Sequence, residues 1–167
     1  SEMCIRDSLA TLKGHTLFVY AVASYTTQAG AVRVVSGSGD KTIKIWDPDT
    51  QRLLATLQGH TSWVSAVASY TTRAGAVRVV SGSNDNTIKI WDPDTQRLLA
   101  TLKGHVGGVK AVASYTTQAG AVRVVSGSED KTVKVWRTSD EARTVSQTVG
   151  GTKVAPAAYS QAPTQQL

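Results

Sequence analysis

Residues 54–91 read LATLQGHTSWVSAVASYTTRAGAVRVVSGSNDNTIKIW, and the 167-residue chain writes this stretch three times with small changes. Residues 9–53 and 54–98 differ at seven of 45 positions, and residues 99–136 differ from 54–91 at ten of 38. A fixed period of this size marks an array of like supersecondary units, none of which can bury its apolar face alone. Inside one unit the periodicity is that of strands. Residues 64–70, 76–83, 87–92 and 97–102 are short runs rich in Val, Ile, Thr and aromatics. They are separated by 71–75, by 84–86 and by the turn Pro93-Asp94-Thr95-Gln96, where proline presets φ and aspartate can bond back to the backbone. Each unit is therefore expected to be a four-stranded antiparallel meander, and the fold class to be all-β.

Working outward, residues 1–8 (SEMCIRDS) hold the register of the repeat but not its sequence. They contain the only Met and the only Cys, Met3 and Cys4, and resemble a translated sequencing adapter. They are expected to be a foreign extension on a natural chain that begins further upstream, with a genuine short N-terminal extension as the alternative. Residues 9–12, LATL, repeat the fourth strand of a unit and are expected to be an orphan outer strand. At the other end, 143–151 (RTVSQTVGG) can be laid against RLLATLQGH with one insertion and without its histidine, so a decayed fourth strand is expected there. Residues 152–167, with two prolines and no period, are expected to form a disordered tail. The array thus runs over 9–151, with units at about 13–57, 58–102 and 103–151.

With 41% hydrophobic and 18% charged residues the composition is globular. No apolar run approaches the roughly 18 residues of a membrane span, and the start lacks the basic and apolar regions of a signal peptide. The expected location is the cytoplasm. One cysteine cannot form an internal disulfide. The net charge of +6 is carried by residues spread singly, such as Arg33, Lys44, Arg78, Lys89, Arg123 and Lys134, a pattern that argues against nucleic acid as a partner.

Each unit carries the same four chemically active side chains: His15, Ser36, Asp40 and Trp46; His60, Ser81, Asp85 and Trp91; His105, Ser126, Asp130 and Trp136. Ser, His and Asp together invite a nucleophilic triad. Three equivalent copies, without a GxSxG elbow or an oxyanion motif, argue against one. The histidine spacing fits no zinc site, so no catalytic residue, metal or cofactor is expected. A structural role has a direct motive. A buried imidazole needs partners for both ring nitrogens, and a carboxylate, a hydroxyl and an indole N–H can supply a closed chain of hydrogen bonds.

GH near the start of each unit, SGSxD in the middle and WD near the end resemble the WD40 repeat, the four-stranded blade of a β-propeller. The resemblance covers about residues 9–136 and implies that the twelve residues above are structural tetrads. Two departures stand out: Trp136-Arg137 replaces WD in the third unit, and 69–76 replaces the family's Ser-Pro-Asp-Gly hairpin with a longer loop. Three blades fall short of a ring and are expected to form an open partial propeller. Two outcomes follow: a piece of a longer propeller, favoured by the non-repeating start, or a homodimer closing a six-bladed ring with exchanged strands.

The differences between copies cluster just after the histidine and just before the tetrad aspartate, in loops that the resemblance places together on the top face. Candidate partner-binding residues are therefore Leu17, Phe18, Tyr20 and Gly39; Ser62, Trp63, Ser65 and Asn84; and Gly108, Lys110 and Glu129. The opposite loops differ only at Gln28, Arg73 and Gln118. Aromatics with a few charges suit a protein or peptide interface. The resemblance implies a non-enzymatic binding scaffold. Blades that serve assembly alone are the alternative, as is a sensor array like those of NACHT-type signalling NTPases, although no P-loop GxxxxGK[ST] is present.

Overall fold

The computed structural model of the chain describes residues 8–138. Among them lie eleven strands and no helix long and apolar enough to cross a membrane. The first sheet contains β1 (Val19–Thr26), β2 (Val32–Ser38), β3 (Ile43–Asp47) and β4 (Arg52–Leu57) in that spatial order. The second repeats it with β5 (Val64–Thr71), β6 (Val77–Ser83), β7 (Ile88–Asp92) and β8 (Arg97–Leu102). The third holds β9 (Val109–Thr116), β10 (Val122–Ser128) and β11 (Val133–Arg137). All pairings are antiparallel. The result is an open all-β array of successive meanders.

Alternation along each strand sends one set of side chains to the preceding sheet and the other to the following one. Val64, Val67, Val79 and Trp91 of the second sheet pack on Val35, Ile43, Ile45 and Leu57 of the first. The same pattern, 45 residues on, seats Val109 and Val124 of the third sheet against Val80, Ile88 and Ile90 of the second. The glycine of each SGS triplet makes the approach possible. A Cβ on Gly37 would stand 2.7 Å from Val64 Cγ1, and one on Gly82 would stand 2.6 Å from Val109 Cγ1. The valine of one sheet thus fills the gap left by a missing side chain in the sheet before it.

Two expectations change against the structure, and a third lies outside the described residues. Residues 9–12 pair with no strand, and Leu9 is exposed. A strand exists only when its backbone groups find a neighbour, and here the sheet that would receive it is missing among the described residues. The third sheet has three strands among the described residues, since the expected fourth, 143–151, lies outside them. The tail 152–167 and residues 1–7 also lie outside. Finally, the loop expected over 69–76 is shorter, because Ser69, Tyr70 and Thr71 stay in register opposite Val79, Arg78 and Val77. The turn that remains is closed by Thr72 N–H donating to Ala76 O at 2.8 Å, with Gly75 at φ 87°. Glycine adopts that left-handed backbone without a Cβ clash.

Candidate functional site

In the second sheet His60 Nδ1 lies 2.7 Å from Asp85 Oδ2, and Nε2 lies 2.7 Å from Ser81 Oγ. The indole N–H of Trp91 donates to the same serine oxygen at 2.9 Å. The first copy, His15–Asp40, His15–Ser36 and Trp46–Ser36, has 2.8, 2.7 and 2.8 Å, and the third, His105–Asp130, His105–Ser126 and Trp136–Ser126, has 2.6, 2.7 and 2.8 Å. One proton arrangement satisfies every atom: Nδ1–H donates to the carboxylate, Nε2 accepts the serine proton, and the serine oxygen accepts the indole N–H. Burial pushes the His60 pKa down more strongly than Asp85 raises it, so this imidazole stays neutral. Burial opposes ionisation of Asp85, but bonds from Thr87, His60 and Thr61 outweigh it and hold the carboxyl below its usual range.

The same Ser–His–Asp contacts occur in hydrolases, so access decides their meaning. Ser36, Ser81 and Ser126 are buried, each with an indole N–H on its oxygen. A nucleophile must be open to its substrate, and these hydroxyls are closed off inside their own blades. No group of three or more His, Cys, Asp or Glu among the described residues could hold a metal ion.

What the network does hold is the rim. Asp85 also accepts the backbone N–H of Thr61 and of Thr87 and the Thr87 hydroxyl. Ser83 Oγ donates to Ser62 O and accepts Asp85 N–H. Asn84 N–H closes the loop pair on Trp63 O at 3.0 Å. Equivalent bonds tie Gly39 to Phe18 and Glu129 to Gly108. Each variable loop is therefore fixed to its own sheet at several backbone points.

On this frame the variable side chains meet across sheet boundaries. Tyr20 of the first sheet stacks on Trp63 of the second, with ring centroids 5.8 Å apart and planes 25° apart, and Phe18 leans on Tyr20 at 6.4 Å. All three rings remain exposed, Phe18 at 77% and Trp63 at 48%. Lys110 of the third sheet bonds Asn84 of the second and pairs with Glu129 at 3.0 Å. Other candidates are placed differently. Gly39 and Gly108 are buried; a Cβ on Gly39 would meet the Tyr20 ring at 3.2 Å. The Ser65 hydroxyl is turned inward, donating to Val109 O of the next sheet. Leu17 is exposed, and Ser62 is half-buried, its carbonyl accepting the Ser83 hydroxyl.

The repeat profile described as "WD domain, G-beta repeat" matches over residues 6–47, 51–92 and 96–137. This chain belongs to the WD40-repeat family. Among solved structures it resembles one described as "Crystal structure of RRP9 WD40 repeats", with 27% identity and a TM-score of 0.63. The match covers 75% of this chain but only 37% of that one, so the chain spans well under half its length. No curated protein matches.

Several residues of these WD40 blades that sequence reasoning passed over prove structural. Thr42, Thr87 and Thr132 donate to the tetrad aspartate, each hydroxyl at 2.6 Å. The glycine before each histidine lies under the tryptophan, where a Cβ on Gly59 would be 3.1 Å from the Trp91 ring. The threonine has a signal in the sequence, since every copy reads Asp-x-Thr after SGS. The glycine recurs in phase as well, as GH in every copy, but the ring it packs under lies 32 residues away and is brought there only by the fold.

Proposed function

We infer that the chain is a non-enzymatic scaffold that binds a protein or peptide through the top-face rim of its blades. WD40 repeats generally mediate protein–protein interaction, and the finer statement rests on one observation: Phe18, Tyr20 and Trp63 form a continuous exposed aromatic group across two blades. Aromatic side chains left half-exposed on a fixed backbone are anchors of the kind that dominate interface energetics. Lys110 and Glu129 border it on the third blade with charges suited to a polar rim. Sequence drift after duplication explains variability, but it gives no reason for three aromatic rings to converge.

The experiment is selection of displayed random peptides on the immobilised chain, followed by retest on variants. Peptides that bind the wild type and lose binding on the double variant Phe18→Ala, Trp63→Ala support the rim. A panel that binds both proteins equally overturns it and leaves blades serving assembly alone. Loss of catalysed turnover is not part of the expectation, because His60→Gln is expected to act on stability.

A further inference from the structure

The two ends of the array carry the two halves of one contact. In the second blade Val64 and Val67 are 0% and 8% exposed because they seat on the first blade; their counterparts Val19 and Val22 are 51% and 69% exposed. At the other end, Ile88 and Ile90 of the second blade are 0% and 1% exposed under the third, whereas Val133 and Val135 are 72% and 59% exposed. The glycine sockets show the same asymmetry: Gly37 and Gly82 are filled by the next blade's valine, while a Cβ on Gly127 would meet only Ala111, at 3.9 Å. These exposed positions carry the same kind of apolar side chain that the stacked blades bury.

We propose that the open face of the third blade receives the open face of the first blade from a second copy of this chain, so that two copies close a six-bladed ring. Each surface required already exists as an internal interface. Val19 and Val22 would sit on Gly127 as Val64 and Val67 sit on Gly37. Ser69 Oγ donates to Ser24 O and Ser114 Oγ to Ser69 O, so Ser24 of one copy would donate to Ser114 O of the other. The unpaired residues 9–12 are identical to 54–57 and 99–102, which pair with β3 and β7. In the same register Leu12 would come opposite Val133 and Thr11 opposite Lys134, completing the edge of β11 that is unpaired among the described residues. Such a head-to-tail contact closes only if whole copies make a ring. Propellers have about four to eight blades, and two copies of three described blades fall within that range where one and three copies do not. This surface is separate from the aromatic rim.

Sedimentation velocity on the full 167-residue chain tests it. The expected particle has twice the 17.6 kDa chain mass, with no larger species as concentration rises. Val22→Ser at one end and Gly127→Val at the other should each give a monomer with unchanged far-ultraviolet circular dichroism, while Trp63→Ala stays paired. A wild-type monomer, a series of species growing with concentration, or a pair that survives both end variants overturns the proposal.

Discussion

At His60 a neutral imidazole is held between an ionised carboxylate and a serine hydroxyl, and this fixes how the molecule responds to acid. The folded pKa lies below the ordinary value of 6.5, so below that value the unfolded chain binds more protons than the folded one. Stability therefore falls as pH drops from about 6.5 toward the folded value. Asp40, Asp85 and Asp130 have depressed folded values, against an ordinary 3.8. Their contribution is present above the unfolded value and lost on further acidification through the folded value. Thermal melts should show a lower midpoint at pH 5 than at pH 7, and His60→Gln should shrink that difference; an unchanged midpoint would contradict the assignment. His60→Gln itself should cost roughly 1–3 kcal/mol, because Asp85 and Ser81 lose a buried partner. Gly59→Ala should cost a similar ~1–3 kcal/mol by pressing on the Trp91 ring, measured by denaturant titration. The histidine, serine, aspartate and tryptophan could be read from the sequence because they recur in phase. The glycine before the histidine recurs in phase too, but its packing role could not be read, since its neighbour is defined by the fold.

Strands were legible to within a residue or two, because β-branched and aromatic runs alternate with turn residues at a fixed period. The observed β5, Val64–Thr71, exceeds the expected 64–70 by one residue. What failed was 9–12, whose sequence is that of a strand and whose surroundings hold no partner for it. Local propensity names a candidate, and pairing decides. The loops separate in the same way. The turn over 72–76 is closed by its own backbone bonds, whereas 61–63 is bound to Asp85, Ser83 and Asn84. Inserting Gly-Ser after Arg73 should therefore shift the melting midpoint by only a few degrees, since loop closure grows slowly with length. The same insertion after Ser62 should lower it much further by breaking the bonds to the tetrad turn. Equal shifts would contradict the view that the rim loops are fixed and the opposite loops are not.

For the molecule as a whole, the sequence shows three nearly equal units and the structure shows three unequal ones. Val19 and Val64 stand at the same place in the repeat, yet one is exposed and the other buried. Nothing in a residue's own type encodes whether a neighbouring blade is present, so the count of blades foretold an open array, but which side chains line its open faces became visible only once the sheets were stacked. The aromatic group arose in the same manner. Tyr20 and Trp63 occupy different positions of different repeats, and only the packing of the first blade on the second brings their rings to 5.8 Å. We propose that a constant tetrad frame holds variable rim residues that do the binding. The most direct test is calorimetric titration of a peptide selected on the wild type into Trp63→Ala. A loss of about 2 kcal/mol or more in affinity, roughly 30-fold, with a melting midpoint within a few degrees of wild type, is the predicted result. Unchanged affinity, with the variant folded, would contradict it.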